Sequence, residues 1–393
     1  MHVHVLVVGG FLGSGKTTLL RQAGRRLVRQ GRRVGIVTND QAADLVDTET
    51  FRREGFAVEE VSGGCFCCRF SDLVASSRRL LEREKPDVLL CEPVGSCTDL
   101  AATVLRPLQA FLKGRFALAP YSVLVDPLRL QQMLGREARS PFSEKVRYIY
   151  TKQLEEADLI VLNKADLLPA GEFEALRARL AGLFPHAAVL GLSAQDERGL
   201  DAWLEAAFAE RPSGQRGIHV NYEVYAAGEA ELGWLNAAVR LRAAEPLAWK
   251  PVALELLRAF KDEFHARAAE VAHVKLALTA PGHALTGNLT STSGHPFLLV
   301  QGASAAPSAE ALLILNARVQ LAPEALQAAV RACLERGLPR TLLKEIVRLE
   351  CFRPARPVPE HRLPPPEPCV VGAQNPCGII REIFKPKQRP ARS

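Results

Sequence analysis

The residues from Gly10 to Thr17 read GFLGSGKT. Glycines at 10, 13 and 15 let several backbone N–H groups converge on one point. A helix starting just after them adds a positive dipole, and Lys16 adds a point charge, so the arrangement suits phosphate oxygens. Ser14 and Thr18 extend the predicted phosphate contacts, and the Thr17 hydroxyl is placed to hold magnesium. A Gly-rich turn with no ligand is the bland alternative, but the strand-like run before the loop and the amphipathic run after it favour binding.

Three further stretches carry chemistry. Asn163 to Asp166 reads NKAD directly after the apolar run LIVL. A carboxylate at Asp166 can accept two hydrogen bonds from guanine that adenine cannot supply, while Lys164 lies along the base. Ser193 and Ala194, after the next apolar run, offer a backbone N–H to the guanine oxygen. The predicted nucleotide is therefore GTP, with an ordinary helix cap as the competing reading of NKAD. Val88 to Gly95 reads VLLCEPVG. It puts Glu92 within reach of magnesium through water and gives Gly95 an N–H for the γ-phosphate, so Lys16 and Glu92 are the expected catalytic groups.

Ser62 to Arg69 reads SGGCFCCR. Thiolates at Cys65, Cys67 and Cys68 would repel one another unless they shared a cation. Three sulfurs leave a tetrahedral soft ion one ligand short, which suits transfer better than storage. Small buried apolar cysteines are the alternative. Cys97 is a candidate fourth ligand, although a buried core position is the expectation there, as it is for Cys91. Cys369 and Cys377 could pair on a metal, but no further ligands accompany them.

The elements that must position these groups follow from hydrophobic period. Strands are predicted at 3–8, 33–38, 88–91, 122–125, 159–162 and 189–192, with a short one at 57–61. Helices are predicted after Lys16 and at 71–85, 98–113, 143–157, 172–184 and 200–209. This alternation predicts an α/β fold with a doubly wound, mostly parallel sheet over residues 1–212. Arg211 to Gly217 is a polar break. A smaller α+β domain is expected over 219–350, with strands at 219–225, 235–241, 271–278 and 312–321 and helices at 251–268 and 323–336. Trp234 and Trp249 are expected in its core, and its isolated histidines are given no role. A Pro-rich basic tail, extended and mobile, is expected over 352–393.

The chain of 393 residues carries 50 Lys+Arg against 43 Asp+Glu, a net charge of +7. Eight basic and three acidic residues lie from Phe352 onward, so the 42 and 40 before them nearly cancel. No basic and aromatic residues interleave as a nucleic-acid surface requires. No apolar run reaches the ~18 residues needed to cross a bilayer. With nine cysteines in no disulfide-like pattern, a cytoplasmic location is expected.

Together GFLGSGKTTLL, TND at Thr38 to Asp40, GGCFCC, EPVG and NKAD resemble the CobW-like metallochaperone GTPases, relatives of UreG and HypB in the SIMIBI class of P-loop proteins. The likeness covers residues 1 to about 210 and continues weakly through 222–242. It implies a GTPase that loads a transition metal, zinc or cobalt, through the CxCC loop and delivers it to a client metalloprotein; slow intrinsic turnover is expected because no residue declares itself as a water-orienting glutamine or an arginine finger. A homodimer is left open. Carried over, Asp40 belongs to the first switch and to magnesium, and Glu92 and Gly95 to the second switch. Many members have NEFG where this chain has NDQA at 39–42, and the His-rich stretch of many members is missing. A regulatory or assembly-chaperone GTPase, for example one serving a corrinoid-dependent enzyme, with structural or redox cysteines is the alternative.

Overall fold

A computed structural model of the chain describes residues 2–41, 46–112, 114, 116–134, 141–301 and 306–365. In the first unit the strands are β1 (Val3–Gly10), β2 (Val34–Asn39), β3 (Ala57–Val61), β4 (Val88–Glu92), β5 (Phe116–Leu118), β6 (Ser122–Val125), β7 (Leu159–Leu162) and β8 (Ala188–Gly191). Its helices are α1 (Lys16–Arg29), α2 (Val46–Arg53), α3 (Phe70–Arg83), α4 (Arg106–Phe111), α5 (Pro127–Leu134), α6 (Glu144–Glu155), α7 (Ala170–Leu183) and α8 (Leu200–Phe208). The strands run parallel in the order β3-β2-β4-β1-β6-β7-β8, with β5 beside the start of β1. Strands buried on both faces read as apolar runs, and β1, β4 and β7 do. Parallel pairing brings the carboxyl ends of β1, β2, β4, β6, β7 and β8 to one edge, where ligands of such sheets bind.

Helix α1 buries Leu19, Leu20, Ala23 and Leu27, and Gly31, at φ 80°, follows its end. Val28 is exposed, and Arg21 is buried against Glu54 at 3.6 Å. The helix expected over 98–113 instead opens as a π-helical turn, Ala101–Leu105, that passes into α4.

The second unit begins with α9 (Tyr222–Glu229) and continues β9 (Gly233–Leu247), α10 (Trp249–Ala266), β10 (Val271–Ala280), β11 (His283–Leu289), β12 (Phe297–Gln301), β13 (Ser308–Val319), α11 (Pro323–Arg336) and β14 (Leu343–Phe352). The strand expected at 219–225 is overturned. Asn221 accepts hydrogen bonds from the N–H groups of Glu223 and Val224, and this cap starts a helix where a β-like composition suggested a strand. The six strands form an antiparallel sheet, β12-β11-β10-β13-β9-β14. Alternation along β10 and β13 sends Val274, Leu276, Leu278, Leu313 and Leu315 into the core with α10 and α11. The opposite face turns to the first unit, where Ala277 and Ile314 pack on Val46.

Part of the predicted tail is neither free nor separate. β14 runs to Phe352, and the segment 353–365 returns across the first unit. His361 meets the rings of Phe70 and Phe111 edge-on, Arg362 pairs with Asp99 at 2.7 Å, and Glu360 accepts hydrogen bonds from Ser71. Arg106 donates to the carbonyls of Gly214 and Arg216 before the second unit and of Leu363 after it. Cys369 and Cys377 lie outside the described residues.

Candidate functional site

The predicted phosphate loop joins β1 to α1. Gly10, Gly13 and Gly15 take φ of 127°, 79° and 99°, values that only glycine adopts at little cost. At Gly15 a Cβ would also lie 2.4 Å from Asn163 Nδ2. The buried Lys16 ammonium donates to the Gly10 carbonyl at 2.8 Å. Burial lowers its pKa, against the pull of Glu92.

Thr17 Oγ1 lies 2.9 Å from both Glu92 Oε1 and Asp47 Oδ1, so its one proton serves one of them at a time. Burial and the Asp47 charge push the Glu92 carboxyl up to about 7, opposed by Lys275, Lys16 and the Thr17 hydroxyl. Glu92 Oε2 is buried with no hydrogen-bond partner among the described residues. One hydroxyl and two carboxylates make a hard-oxygen set of the kind magnesium takes beside phosphates. Asp40, expected in that set, lines the same pocket as Lys16, Asp47 and Glu92 and is engaged elsewhere. It pairs with Arg318 at 2.7 Å, and Arg318 stacks over Trp234. The carboxylate that joins Glu92 beside Thr17 is Asp47, on a helix that carries no motif. Ala42, last in NDQA, lies outside the described residues.

The second sheet closes over this group. Trp234, His273, Lys275, Asn316 and Arg318 line one pocket with Gly13, Lys16, Asp40, Asp47, Glu92 and Gly95. Lys275 Nζ is 2.6 Å from Asp47 Oδ2 and 3.2 Å from Thr17 Oγ1. Burial, reinforced by Lys275, holds the His273 imidazole well below its ordinary pKa, so it stays neutral. The sequence carried one signal for these residues: His273 and Lys275 share a face of a strand whose other face is apolar.

At the other end of the loop Asn163 donates from Nδ2 to the Ser14 carbonyl at 2.8 Å and accepts from the Ala194 N–H at 2.9 Å. It staples the phosphate loop to the turn after β8. Asp166 is exposed and accepts from Ser193 Oγ at 2.6 Å. The expected backbone donors are both engaged, Ser193 N–H with the Arg198 carbonyl and Ala194 N–H with Asn163. Lys164, with φ 58°, pairs with Asp126, a partner the motif did not announce.

The three predicted cysteines meet. Sulfur separations are 2.8 Å for Cys65–Cys67, 3.3 Å for Cys65–Cys68 and 3.7 Å for Cys67–Cys68. Around a tetrahedral ion with sulfur bonds of about 2.3 Å, ligands stand roughly 3.8 Å apart, so this cluster needs only a small expansion. Hydrogen bonds from Cys67, Cys68 and Cys97 stabilise the Cys65 thiolate and hold it well below the usual thiol range. The same contact raises Cys67 well above that range and Cys68 to about 12. Cys97 is buried in the core beside this group, as expected, and the nearby Cys65 thiolate raises its thiol well above the usual range. Cys91 is buried in β4.

Asn39, at the end of β2, connects the two halves of the site. Its side chain donates to the carbonyls of Val61 and Gly64 and accepts from the Phe66 N–H at 2.8 Å, so it braces the cysteine loop from beside Asp40.

A parallel sheet with a glycine-rich phosphate loop after its central strand defines a P-loop nucleotide-binding protein. Residues 4–191 match the family profile described as "CobW/HypB/UreG, nucleotide-binding domain". A Sinorhizobium protein named zinc chaperone CobW is 31% identical over 44% of this chain and 53% of its own length. One of the same name from Pseudomonas aeruginosa is 30% identical over 50% and 62%. A Schizosaccharomyces pombe protein named zinc-regulated GTPase metalloprotein activator 1 is 27% identical over 44% and 42%. Through its first unit this chain is thus similar to the CobW-like P-loop GTPases. The matched region spans about half the length of these relatives. Among the described residues no helix is long and apolar enough to cross a membrane.

Proposed function

We propose that this chain is a cytoplasmic GTP-dependent metallochaperone that holds a transition metal on Cys65, Cys67 and Cys68 and passes it to a client metalloprotein when GTP is hydrolysed. Zinc is the first choice of cargo, supported by the names of the relatives, and cobalt the second. The observation that carries the reading is Asn39, whose side chain ties the thiol loop to the strand ending at the nucleotide site.

In the proposed chemistry, water attacks the γ-phosphorus in line. The bond to the bridging oxygen breaks, GDP leaves with its electron pair, and phosphate and a proton are released. Lys16 exchanges the Gly10 carbonyl for a phosphate oxygen, and the glycine N–H groups hold the remaining oxygens. Magnesium supplies charge neutralisation, held by Thr17, Glu92 and Asp47. Asp166 selects guanine, and Gly95 approaches the terminal phosphate beside Glu92.

The deciding experiment measures zinc and cobalt affinity with a non-hydrolysable GTP analogue and with GDP. Coupling of this kind is reciprocal and typically worth about 1–3 kcal/mol, or roughly 5–150-fold in affinity. Equal affinities with the two nucleotides would refute the reading. Metal-free protein recovered under reducing conditions, with nucleotide binding intact, would return the redox-cysteine alternative.

A further inference from the structure

Lys275 belongs to the second unit, yet its ammonium sits among the oxygens of the first. It lies 2.6 Å from Asp47 Oδ2 and 3.2 Å from Thr17 Oγ1, and Thr17 Oγ1 is itself 2.9 Å from Glu92 Oε1. A monovalent cation thus occupies the oxygen set that suits a divalent one. Both cannot stay there, because like charges a few ångströms apart in a buried site repel strongly.

The backbone of Lys275 has little room to retreat. β10 is an interior strand, with Lys275 paired to Asn288 on one side and Asn316 on the other. The response to magnesium must therefore come from the four-carbon side chain. The pocket around it is lined by Gly13, Lys16 and Gly95, the residues that would surround a terminal phosphate. The second cation of this face is not available for that task. Arg318 donates to the Leu235 carbonyl, Asn236 Oδ1 and Asp40 Oδ2, and stacks on Trp234.

We propose that Lys275 is a γ-phosphate ligand supplied in cis by the second sheet: its ammonium holds Asp47 and Thr17 while the site is empty and moves to the terminal phosphate when magnesium and GTP enter. This rests on the nucleotide reading above. The ammonium offsets charge on the transferring group as the bond to the bridging oxygen breaks. With GDP and magnesium it has neither partner, so the second sheet distinguishes the two nucleotides.

The test is calorimetric titration of the full chain with GDP and with a non-hydrolysable GTP analogue, in wild type, Lys275→Met and Lys275→Arg. A lost charge-assisted hydrogen bond predicts that Lys275→Met weakens the analogue roughly ten- to hundredfold. The magnesium concentration needed for GDP binding should fall in the same variant, because the competing cation is gone, and Lys275→Arg should restore most of the analogue affinity. Equal weakening of both nucleotides, or no change in either, overturns the proposal and leaves the GTPase reading standing. Wild type that binds neither nucleotide overturns both. A measurement on the unaltered protein guards against misfolding of the variants. Amine-reactive labelling should find Lys275 protected when the site is empty and with the analogue, and reactive with GDP; protection in all three states contradicts the proposal.

Discussion

Val358 presents its backbone N–H to the Cys68 sulfur at 3.2 Å, and two residues later Glu360 donates to the Cys67 carbonyl at 2.9 Å. The C-terminal segment therefore lies directly on the thiol loop. Ending the chain at Phe352 should expose Cys68, Phe70 and Phe111 and remove several hydrogen bonds worth about 0.5–1.5 kcal/mol each, a total loss of a few kcal/mol. Melting temperature and the rate of Cys68 alkylation report this. Equal behaviour of the truncated and full chains would show that the segment contributes nothing.

The Cys65 sulfur lies 2.8 Å from Cys67 and 3.3 Å from Cys68, nearer to both than they are to each other, so its loss should harm metal binding most. Cys65→Ser is expected to weaken zinc at least a hundredfold in competition with a chelator. Cys97→Ser should have a smaller effect in the same direction. Cys91→Ser, in β4, should cost stability but leave zinc affinity unchanged, which controls for core damage.

Asn39→Ala removes three hydrogen bonds at one buried position and should cost about 2–4 kcal/mol in urea unfolding. Its specific consequence is functional. Zinc affinity should become the same with GTP analogue and GDP, while each nucleotide still binds. Retention of the nucleotide dependence would place the coupling elsewhere.

Glu156 is fully buried, accepting from the Ala101 N–H at 3.1 Å and from the Thr98 hydroxyl. Burial raises its pKa from 4.5 to about 8. Between those values the folded chain keeps a proton that the unfolded chain has released, so stability falls as pH rises. The contribution is whole below about 4.5 and lost through 8. Glu156→Gln should flatten the decline in melting temperature over that interval; an unchanged slope would mean that Glu156 is ionised in the folded protein.

The first sheet was legible because each strand buried on both faces is written as an apolar run, and the phosphate loop, EPVG and NKAD stand at the ends of such runs, whereas the cysteine loop follows the half-buried AVEEV of β3. Local spacing also announced Lys16, Thr17, Glu92, Asn163 and the three cysteines. It could not announce Asp47, Lys275 or Arg318, whose partners lie 30, 228 and 278 residues away along the chain. The ion pair of Asp40 was hidden for the same reason, since Arg318 belongs to another unit. The helix at Tyr222–Glu229 was missed because one cap, Asn221, outweighed a β-like composition. A proline-rich composition likewise says nothing of whether a segment docks, and His361 and Arg362 do dock.

The single guanidinium of Arg106 grips the chain both where it leaves the first unit, at Gly214 and Arg216, and where it comes back, at Leu363. One side chain thus closes a loop of chain from Gly214 to Leu363 that contains the whole second unit, so its entry and its exit are held at the same place.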